Sequence, residues 1–370
     1  MLLAVVITVF YLLEKESIKS IFNGISYDIK SSCDIVEIGE EFFLETTITN
    51  AKRLPITSLI TREILPEGLA LSDDNLETIP HHRGTAFVSD TYLLPRRKLT
   101  RTLKAALPCR GRYFFYGASL TAGSLLGFST IEKNFHLTRE VLLPPKAAPS
   151  LELKRMLGNY LGDISVNRFI MKDPVLTVGF REYSGFEPMR SICWKQTARA
   201  GKLMVKNYDH TFDLTVTVIL NIHTLCKDFE IDVETLFSMA RSVCEFLETM
   251  ETPYRFVTNA ATIDGTGQKS VIPDGMGGSH LVLILKLLAR ATYNHFENFE
   301  EMIAKIAQTA EQGRAHILLT TDVTASAAAF LHKLRVRTGR DILILTPGMI
   351  EPNSLVYKPC HLPSETEVAI

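Results

Sequence analysis

The chain has few of the residues that usually mark chemistry. Its six cysteines lie at positions 33, 109, 193, 226, 244 and 360 of 370 residues, and no two of them have C-x-x-C spacing. A Cys/His metal site is therefore not expected, and the even count alone does not indicate disulfides in a chain this long. We expect mostly reduced, buried thiols, as in a cytoplasmic protein. G-x-S-x-G, H-E-x-x-H and paired-carboxylate signatures are also missing.

Neither sign of charge is in excess. The net charge is −1, with 40 Lys and Arg against 41 Asp and Glu. This balance argues against a nucleic-acid or anionic-membrane binder that works through bulk charge. The hydrophobic fraction of 46% is sufficient for proper cores, and 370 residues exceed one typical domain. Two folded units are therefore expected.

Long apolar runs are scarce, and the one exception lies at the N-terminus. Residues 2–13 form an unbroken apolar run that as a helix spans about 18 Å, short of a ~30 Å hydrocarbon core. No small-residue cleavage site follows, but Lys15 and Lys19 do. We interpret residues 1–24 as a membrane-proximal segment, with a buried helix or strand of the first domain as the alternative. If the run enters a membrane, the lysines place the following domains in the cytoplasm.

Residues 25–143 show a pattern of strands and turns. Apolar and polar residues alternate, and turn signals recur near Gly39, Asn50 and Gly68. Strands spaced about ten residues apart predict a β-sandwich of immunoglobulin-like type. Three prolines within residues 144–149 then favour an extended linker. Since the periodicity that follows is weak, we expect residues 144–177 to form a linker and an irregular connector.

Residues 210–350 alternate between predicted strands and helices. Apolar, β-branched runs such as FDLTVTVILNI and AHILLTT are typical of strands buried on both faces. The intervening segments have helical spacing, with Ser279 as a possible N-cap and with Gly313 and Gly339 as natural C-caps. This rhythm predicts a parallel, doubly wound α/β sheet. Residues 351–370 are expected to form a C-terminal tail.

The stretch from 178 to 209 is the most distinctive part of the chain, because cationic side chains alternate there with aromatic ones. It resembles the signature R-x-Y-x-x-G-D-x-x-R-x-I-x-W-x-x-x-A-R of domain-of-unknown-function family 58, a bacterial and archaeal family. The matching positions are Arg181, Tyr183, Arg190, Ile192, Trp194, Ala198 and Arg199, and Gly185 lies one residue before the position of the signature glycine. The step Arg110-Gly111-Arg112-Tyr113 is also similar to the family pattern. The resemblance implies a von Willebrand factor A-like domain over residues 210–350.

Two readings of the signature segment are open. Arg181, Arg190, Lys195 and Arg199 could form a surface that receives an acidic partner segment. Alternatively they hold the segment against the sheet with Trp194 as a buried plug, which we favour for Arg190 and Trp194. The family usually has Asp after its glycine, whereas Phe186 follows Gly185 here, and it usually has Asp or His before the Trp, where this chain has Cys193. This chain is therefore expected to be a divergent member.

The resemblance also implies where a divalent cation would bind. A-type domains commonly hold Mg²⁺ at the end of the first strand through D-x-S-x-S, and the matching positions here are Asn221, His223 and Leu225. Asp322 could add one carboxylate. Because hard cations prefer several anionic oxygens, we predict a degenerate site with no bound metal, in which Asn221 and His223 bond to neighbouring loops.

Two further candidates are weak. The loop at residues 265–270 lacks the glycine that a phosphate-binding loop needs before its lysine. Cys226 lies near His223 in sequence, but nothing nearby would orient a nucleophile–base pair, so a structural thiol is expected.

The function that the resemblance implies is that of a non-enzymatic, membrane-associated interaction protein. Family members often act beside MoxR-type AAA+ ATPases, which suggests such an ATPase as partner, with no cofactor, and an adaptor or chaperone-like role toward protein clients. The alternatives are a hydrolase or transferase with an unrecognised active site, and a structural cell-envelope component. Loss of function on deletion of residues 1–13 would favour membrane anchoring as the essential property.

Overall fold

The computed structural model describes residues 11, 14–15, 18–71, 77–81, 84–124, 129–148, 151–170, 177–183, 189, 192–208, 214–223, 229–262, 271–347 and 357–361. The chain divides into two compact units, Met1–Lys146 with Leu285–Ala291 and Ala147–Ile284 with Thr292–Ile370. The division after Lys146 falls inside the proline-rich stretch. Most of the apolar run at 2–13 lies outside the described residues. Among the described helices, none has both the length and the hydropathy needed to cross a bilayer.

Within the described residues up to Lys146, the first unit contains nine strands in two antiparallel sheets. The strands are β1 (Ile25–Ser31), β2 (Phe42–Asn50), β3 (Ile56–Leu65), β4 (Ala70–Leu71), β5 (Glu77–His81), β6 (Gly84–Leu93), β7 (Lys98–Ala106), β8 (Gly111–Gly123) and β9 (Thr130–Leu143). One sheet has the order β1-β2-β7-β4 and the other has the order β5-β6-β3-β8-β9.

The two sheets bury one apolar core between them. In β2, Phe42 and Leu44 are buried while Phe43 is exposed, which is the alternation expected of a strand with one covered face. Phe42 and Leu44 belong to the same buried cluster as Phe115 and Leu120 of the opposite sheet. The prediction of a β-sandwich-like arrangement is confirmed.

The described cysteines differ from the expectation of buried thiols. Cys33 and Cys109 are exposed, Cys193 is half-buried, and Cys244 is buried. The prediction is wrong for the first two because both lie in connections between strands, where side chains face solvent. Burial is what raises the pKa of the Cys244 thiol far above its ordinary value.

The segment after the proline-rich stretch is a helix. Residues Leu151–Ile170 form α1, so the prediction of an irregular connector is wrong. Its buried side chains are Leu153, Leu157, Tyr160, Leu161 and Ile164. These positions are three or four residues apart and lie on one face of a helix. Gly158 and Gly162 interrupt the pattern in the sequence, and packing of the apolar face compensates for their low helix propensity.

The second unit contains a six-stranded sheet with helices. Its further strands are β10 (Thr177–Glu182), β11 (Met204–Tyr208), β12 (Val216–Leu220), β13 (Tyr254–Thr258), β14 (Ala260–Thr262), β15 (Val271–Gly275), β16 (Ala291–His295), β17 (Ala315–Leu319), β18 (Ile342–Thr346) and β19 (Tyr357–His361). The remaining helices of the chain are α2 (Trp194–Ala200), α3 (Phe229–Thr249), α4 (Gly278–Arg290), α5 (Phe299–Thr309) and α6 (Ala325–Thr338). Of these, α4 belongs to the second unit up to Ile284 and to the first unit from Leu285.

The large sheet is mostly parallel, with the strand order β15-β13-β12-β17-β18-β19. Neighbouring strands pair in parallel except at the edge, where β15 runs antiparallel to β13. Every residue of β12, β17 and β18 is buried, as expected of strands covered on both faces. The predicted parallel pairing is therefore present, within a mixed α/β chain that is rich in strands.

Helices cover this sheet. Side chains of α5 and α6 share one buried cluster with Ile219, Val257 and Leu318 of three neighbouring strands. Helix α3 packs against β12 and β17, and α1 packs against α3. The Tyr160 hydroxyl of α1 also donates a hydrogen bond to the backbone carbonyl of Asp341 at 2.7 Å.

Several predicted boundaries need correction. Ser279 lies inside α4, which begins at Gly278, so it is not the N-cap. Helix α5 ends at Thr309, and Gly313 instead occupies a turn with a φ of 83°. Gly339 is the C-cap of α6, as predicted. The last described residues form β19 beside β18 rather than a tail.

Candidate functional site

The carboxyl end of the large sheet carries a cluster of side-chain amides centred on Asn221. This residue follows β12 and is 1% exposed. Its Oδ1 accepts hydrogen bonds from the His223 N–H at 3.1 Å and from Asn259 Nδ2 at 2.7 Å. Its Nδ2 donates to Thr320 Oγ1 at 2.9 Å and to the His223 carbonyl at 3.2 Å. A side-chain amide has two donor hydrogens and two acceptor lone pairs, so Asn221 has used them all.

Asn259 completes the cluster from the neighbouring strand. It follows β13, and its Oδ1 accepts a hydrogen bond from the Ile222 N–H at 2.9 Å. Its Nδ2 donates to Asn221 and, at 3.5 Å, to the Glu297 carbonyl. Asn259 was not among the residues predicted from the sequence. Its signal was the polar residue at the end of YRFVTNA, because adjacent parallel strands end at the same edge of a sheet.

Asp322 reaches this cluster through its backbone. Thr320, which follows β17, donates from Oγ1 to the Asp322 carbonyl at 2.8 Å. The same hydroxyl accepts the hydrogen bond from Asn221. The described contact between Asp322 and the cluster is thus made by a main-chain oxygen.

Two histidines and a carboxylate lie at the same edge. The rings of His223 and His295 have centroids 4.5 Å apart and planes inclined at 36°. Burial, together with the nearby His223, lowers the pKa of His295. Glu300 accepts hydrogen bonds from Ser326 Oγ at 2.8 Å and Thr324 Oγ1 at 3.2 Å, and these hydroxyls help to lower its pKa.

The residues at this edge do not fit a hard divalent cation. Mg²⁺ requires oxygen ligands in octahedral geometry and favours carboxylates. The oxygen of Asn221 already accepts two hydrogen bonds, and N–H donors that point at an oxygen compete with a cation for it. Within the described ranges, no three His, Cys, Asp or Glu side chains are grouped so that they could hold a metal ion. The arrangement fixes the loops after β12, β13 and β17 to one another.

The second candidate is the signature segment, which forms a small antiparallel sheet followed by a short helix. Strands β10 and β11 pair with Arg181 opposite Val205, and the Tyr183 N–H donates to the Leu203 carbonyl at 2.8 Å. Helix α2 connects to β11 through the Met204 N–H, which donates to Thr197 Oγ1 at 3.0 Å.

Trp194 lies at the start of α2 and is 63% exposed. The interpretation of Trp194 as a buried plug is therefore wrong. None of the residues of α2 is buried, so the helix offers no covered face on which the indole ring could pack. Ile192 and Val205 are the buried apolar residues of the segment instead.

We refer to the exposed side chains of this segment together as the signature surface, although consecutive strand residues such as Phe180 and Arg181 face opposite sides. Its apolar members are Phe180, Met189, Trp194 and Leu203, and its cationic members are Arg181, Lys195 and Arg199. Tyr183 is half-buried beside it. Large apolar and cationic side chains exposed together are typical of protein interfaces, in which Trp and Arg contribute most of the binding energy.

Several residues named from the sequence lie outside the described part of the structure. They are Gly185, Phe186, Arg190, Leu225, Cys226 and the loop at 265–270.

No protein-family model matches this chain, and no curated protein matches it. Among solved structures, the CARDB domain of the PF1109 protein from Pyrococcus furiosus is 15% identical over 32% of this chain and 91% of that chain, with a TM-score of 0.23. The cohesin module of a Clostridium perfringens family 33 glycoside hydrolase is 12% identical over 32% of this chain and 96% of that chain, with a TM-score of 0.24. Likenesses at these scores carry no inference about this chain.

Proposed function

We propose that this chain is a non-enzymatic, membrane-associated interaction protein that acts as an adaptor or chaperone-like factor. In this proposal the first unit is an immunoglobulin-like sandwich and the second a von Willebrand factor A-like domain. The strand order of the large sheet supports the second assignment. In chain order, its strands read third, second, first, fourth, fifth and sixth, with the third antiparallel at the edge. This is a common order for doubly wound sheets.

The amide cluster supports a mode of partner binding that does not use a cation. An A-type domain that binds ligands through Mg²⁺ needs open oxygen ligands at the end of its first strand. Asn221 is buried there, and its oxygen faces two N–H donors. The partner is therefore bound by other side chains of the chain.

The observation that carries the proposal is the exposure of Trp194 among cations. Removing an indole ring from water on binding gives a large favourable free energy, because aromatic side chains bury much apolar area. Lys195 and Arg199 are exposed one helical turn apart on the same short helix. They repel each other, and a carboxylate placed between them would relieve that repulsion. The signature surface thus suits an acidic segment that contains an apolar anchor.

The identity of the partner rests on the resemblance to domain-of-unknown-function family 58. That resemblance suggests a MoxR-type AAA+ ATPase as the protein that supplies the acidic segment. Placement at the cell membrane, with the folded units in the cytoplasm, rests on the apolar run at 2–13 and the lysines that follow it.

Affinity purification of the tagged full chain at its natural expression level tests the proposal. We expect an AAA+ ATPase to co-purify, and we expect Trp194→Ala to reduce its recovery at least about tenfold, since interface tryptophans often contribute 2 kcal/mol or more. Tyr92→Ala is the matched control, because Tyr92 is 64% exposed and lies in the first unit. Recovery without any AAA+ ATPase would refute the partnership, and equal losses in both variants would refute the role of the signature surface.

A further inference from the structure

A cavity of about 320 Å³ lies inside the second unit, between α5 and the face of strands β12, β13 and β17. Its apolar lining includes Val257 from the sheet and Met302 and Ile306 from α5. Its polar lining comes from the amino-terminal ends of the three strands and, on the side of α5, from Glu297, Lys305 and Thr309. Glu297 forms an ion pair with Lys305, so its carboxylate is neutralised. The volume is at the lower end of the range for small-molecule sites.

Three of the polar side chains form a row across three neighbouring strands. Thr217 of β12 pairs in register with Arg255 of β13 and with His316 of β17. Two residues further along, the same face presents Ile219, Val257 and Leu318, which belong to the apolar core. A polar row is unusual on the covered face of a parallel sheet, where apolar residues are the rule.

His316 is the member of this row whose polar atoms are least satisfied by hydrogen bonds. It is 1% exposed, and neither ring nitrogen has a hydrogen-bond partner in the described structure. Burial and the positive charge of Arg314 lower its pKa to about 4, although the backbone of Arg314 offsets part of this lowering. The ring is therefore neutral at pH 7 and offers one N–H donor and one acceptor.

The two arginines bond to a single carboxylate. Arg314 donates from Nη1 and Nη2 to the two oxygens of Asp274 at 2.8 and 2.9 Å, and Arg255 donates from Nη2 to Asp274 at 2.8 Å. These contacts use terminal nitrogens, whereas the Nε–H groups of both arginines are buried and have no hydrogen-bond partner among the described residues. Two guanidinium groups share the single carboxylate of Asp274, so this trio carries one net positive charge. The mostly exposed Glu311 lies 3.4 Å from Arg314, where solvent screens its charge.

We infer that this cavity is a binding site for a small carboxylic acid with an apolar body. The apolar body packs against Met302 and Ile306, and the carboxylate accepts hydrogen bonds from the arginine and histidine N–H groups. Arg255 is 29% exposed at its side chain while Arg314 is only 5% exposed. Arg255 is therefore the group that moves to meet the acid, and Arg314 and Asp274 keep their bidentate pairing. This site is independent of the proposed docking function.

Titration of the full chain with hexanoate and benzoate tests the inference, with hexanol and benzyl alcohol as uncharged counterparts. We expect at least one acid to bind saturably by calorimetry and to shift the imidazole resonances of His316. We also expect each alcohol to bind at least about tenfold more weakly than the corresponding acid, since charge-assisted hydrogen bonds are the stronger ones.

Two variants locate the site. Arg255→Met removes the movable cation and should weaken acid binding at least about tenfold, whereas Arg335→Met, which loses an ion pair outside the cavity, should leave it unchanged. Ile306→Trp fills the cavity from α5 without touching the polar row and should abolish binding. Failure of both acids to bind, equal binding of acids and alcohols, or unaltered binding to Ile306→Trp would each overturn the inference.

Discussion

The two ends of the large sheet carry polar clusters that differ in one respect. At the carboxyl end, Asn221 and Asn259 satisfy each other and the loops around them, and Asn221 has no hydrogen-bonding capacity left. At the amino end, His316, Arg255 and Arg314 bury nitrogen atoms that have no hydrogen-bond partner in the described part of the chain. A buried polar group without a partner destabilises the fold, so such a cluster persists only where something else maintains it. The cluster at the carboxyl end therefore has a structural role, and the cluster at the amino end is available to bind a ligand.

The largest effect in this comparison of the two ends of the sheet is expected from a substitution at Asn221. Asn221→Ala leaves the Asn259 amide and the His223 N–H without their acceptor, and each buried group that loses a bond costs about 1–3 kcal/mol. We expect the free energy of unfolding of the second unit to fall by about 4 kcal/mol, measured by urea denaturation. Asn294→Ala is the control at an exposed asparagine of β16, with an expected change below about 0.5 kcal/mol. A loss under about 1 kcal/mol for Asn221→Ala would show that the cluster does not hold the edge together.

The pH dependence of stability tests the polar cluster at the amino end of the sheet. His316 has a pKa of about 4 in the fold against an ordinary value of 6.5. Between these values the unfolded chain binds a proton that the folded chain does not, so stability falls as the pH falls from 6.5 toward 4. At 1.36 kcal/mol per pKa unit, the loss amounts to about 3 kcal/mol.

His316→Leu removes this dependence, because an apolar side chain has no proton to bind. We expect the free energy of unfolding of the variant, relative to that of the natural chain, to rise by about 3 kcal/mol as the pH falls from 7 to 4. Urea denaturation at each pH measures this difference. The exposed His332 of α6, changed to Leu, is the control and should not alter the profile. Parallel profiles for the natural chain and His316→Leu would contradict the account of a buried, neutral His316.

The smallest stability effect is expected at the signature surface, which separates docking from folding. Trp194→Ala removes an exposed side chain from a helix that buries none of its residues. The free energy of unfolding, measured by thermal denaturation, should therefore change by less than about 0.5 kcal/mol. Ile192→Ala removes a buried side chain of the same segment and should cost about 2–4 kcal/mol. Equal destabilisation by both variants would mean that Trp194 supports the fold rather than a partner.

The sequence predicted the fold better than the sites, for identifiable reasons. Runs such as those of β12, β17 and β18 are apolar throughout, which points directly to strands covered on both faces. Helix α1 was missed because Gly158 and Gly162 obscure a stripe of leucines that packing stabilises. Strand β15 was missed because it contains Pro273, which an edge strand tolerates.

The sites depend on contacts between residues that are far apart in the sequence, which local sequence patterns do not reveal. Asn221 was placed correctly at the end of the first strand, but its partner Asn259 is 38 residues away and meets it only through parallel pairing. His316 lies within an apolar run and resembles any core residue until its strand register is known. Whether Trp194 is covered depends on which elements pack on α2, and the residues of a short segment do not determine this.

Calorimetric titration of the full chain with Mg²⁺ and Mn²⁺ most directly tests the claim that the carboxyl edge is a closed amide cluster. We expect only the heat of dilution for both ions, because the Asn221 oxygen already accepts two hydrogen bonds whose N–H donors compete with a cation. Saturable micromolar binding that disappears in Asn221→Ala would contradict the account.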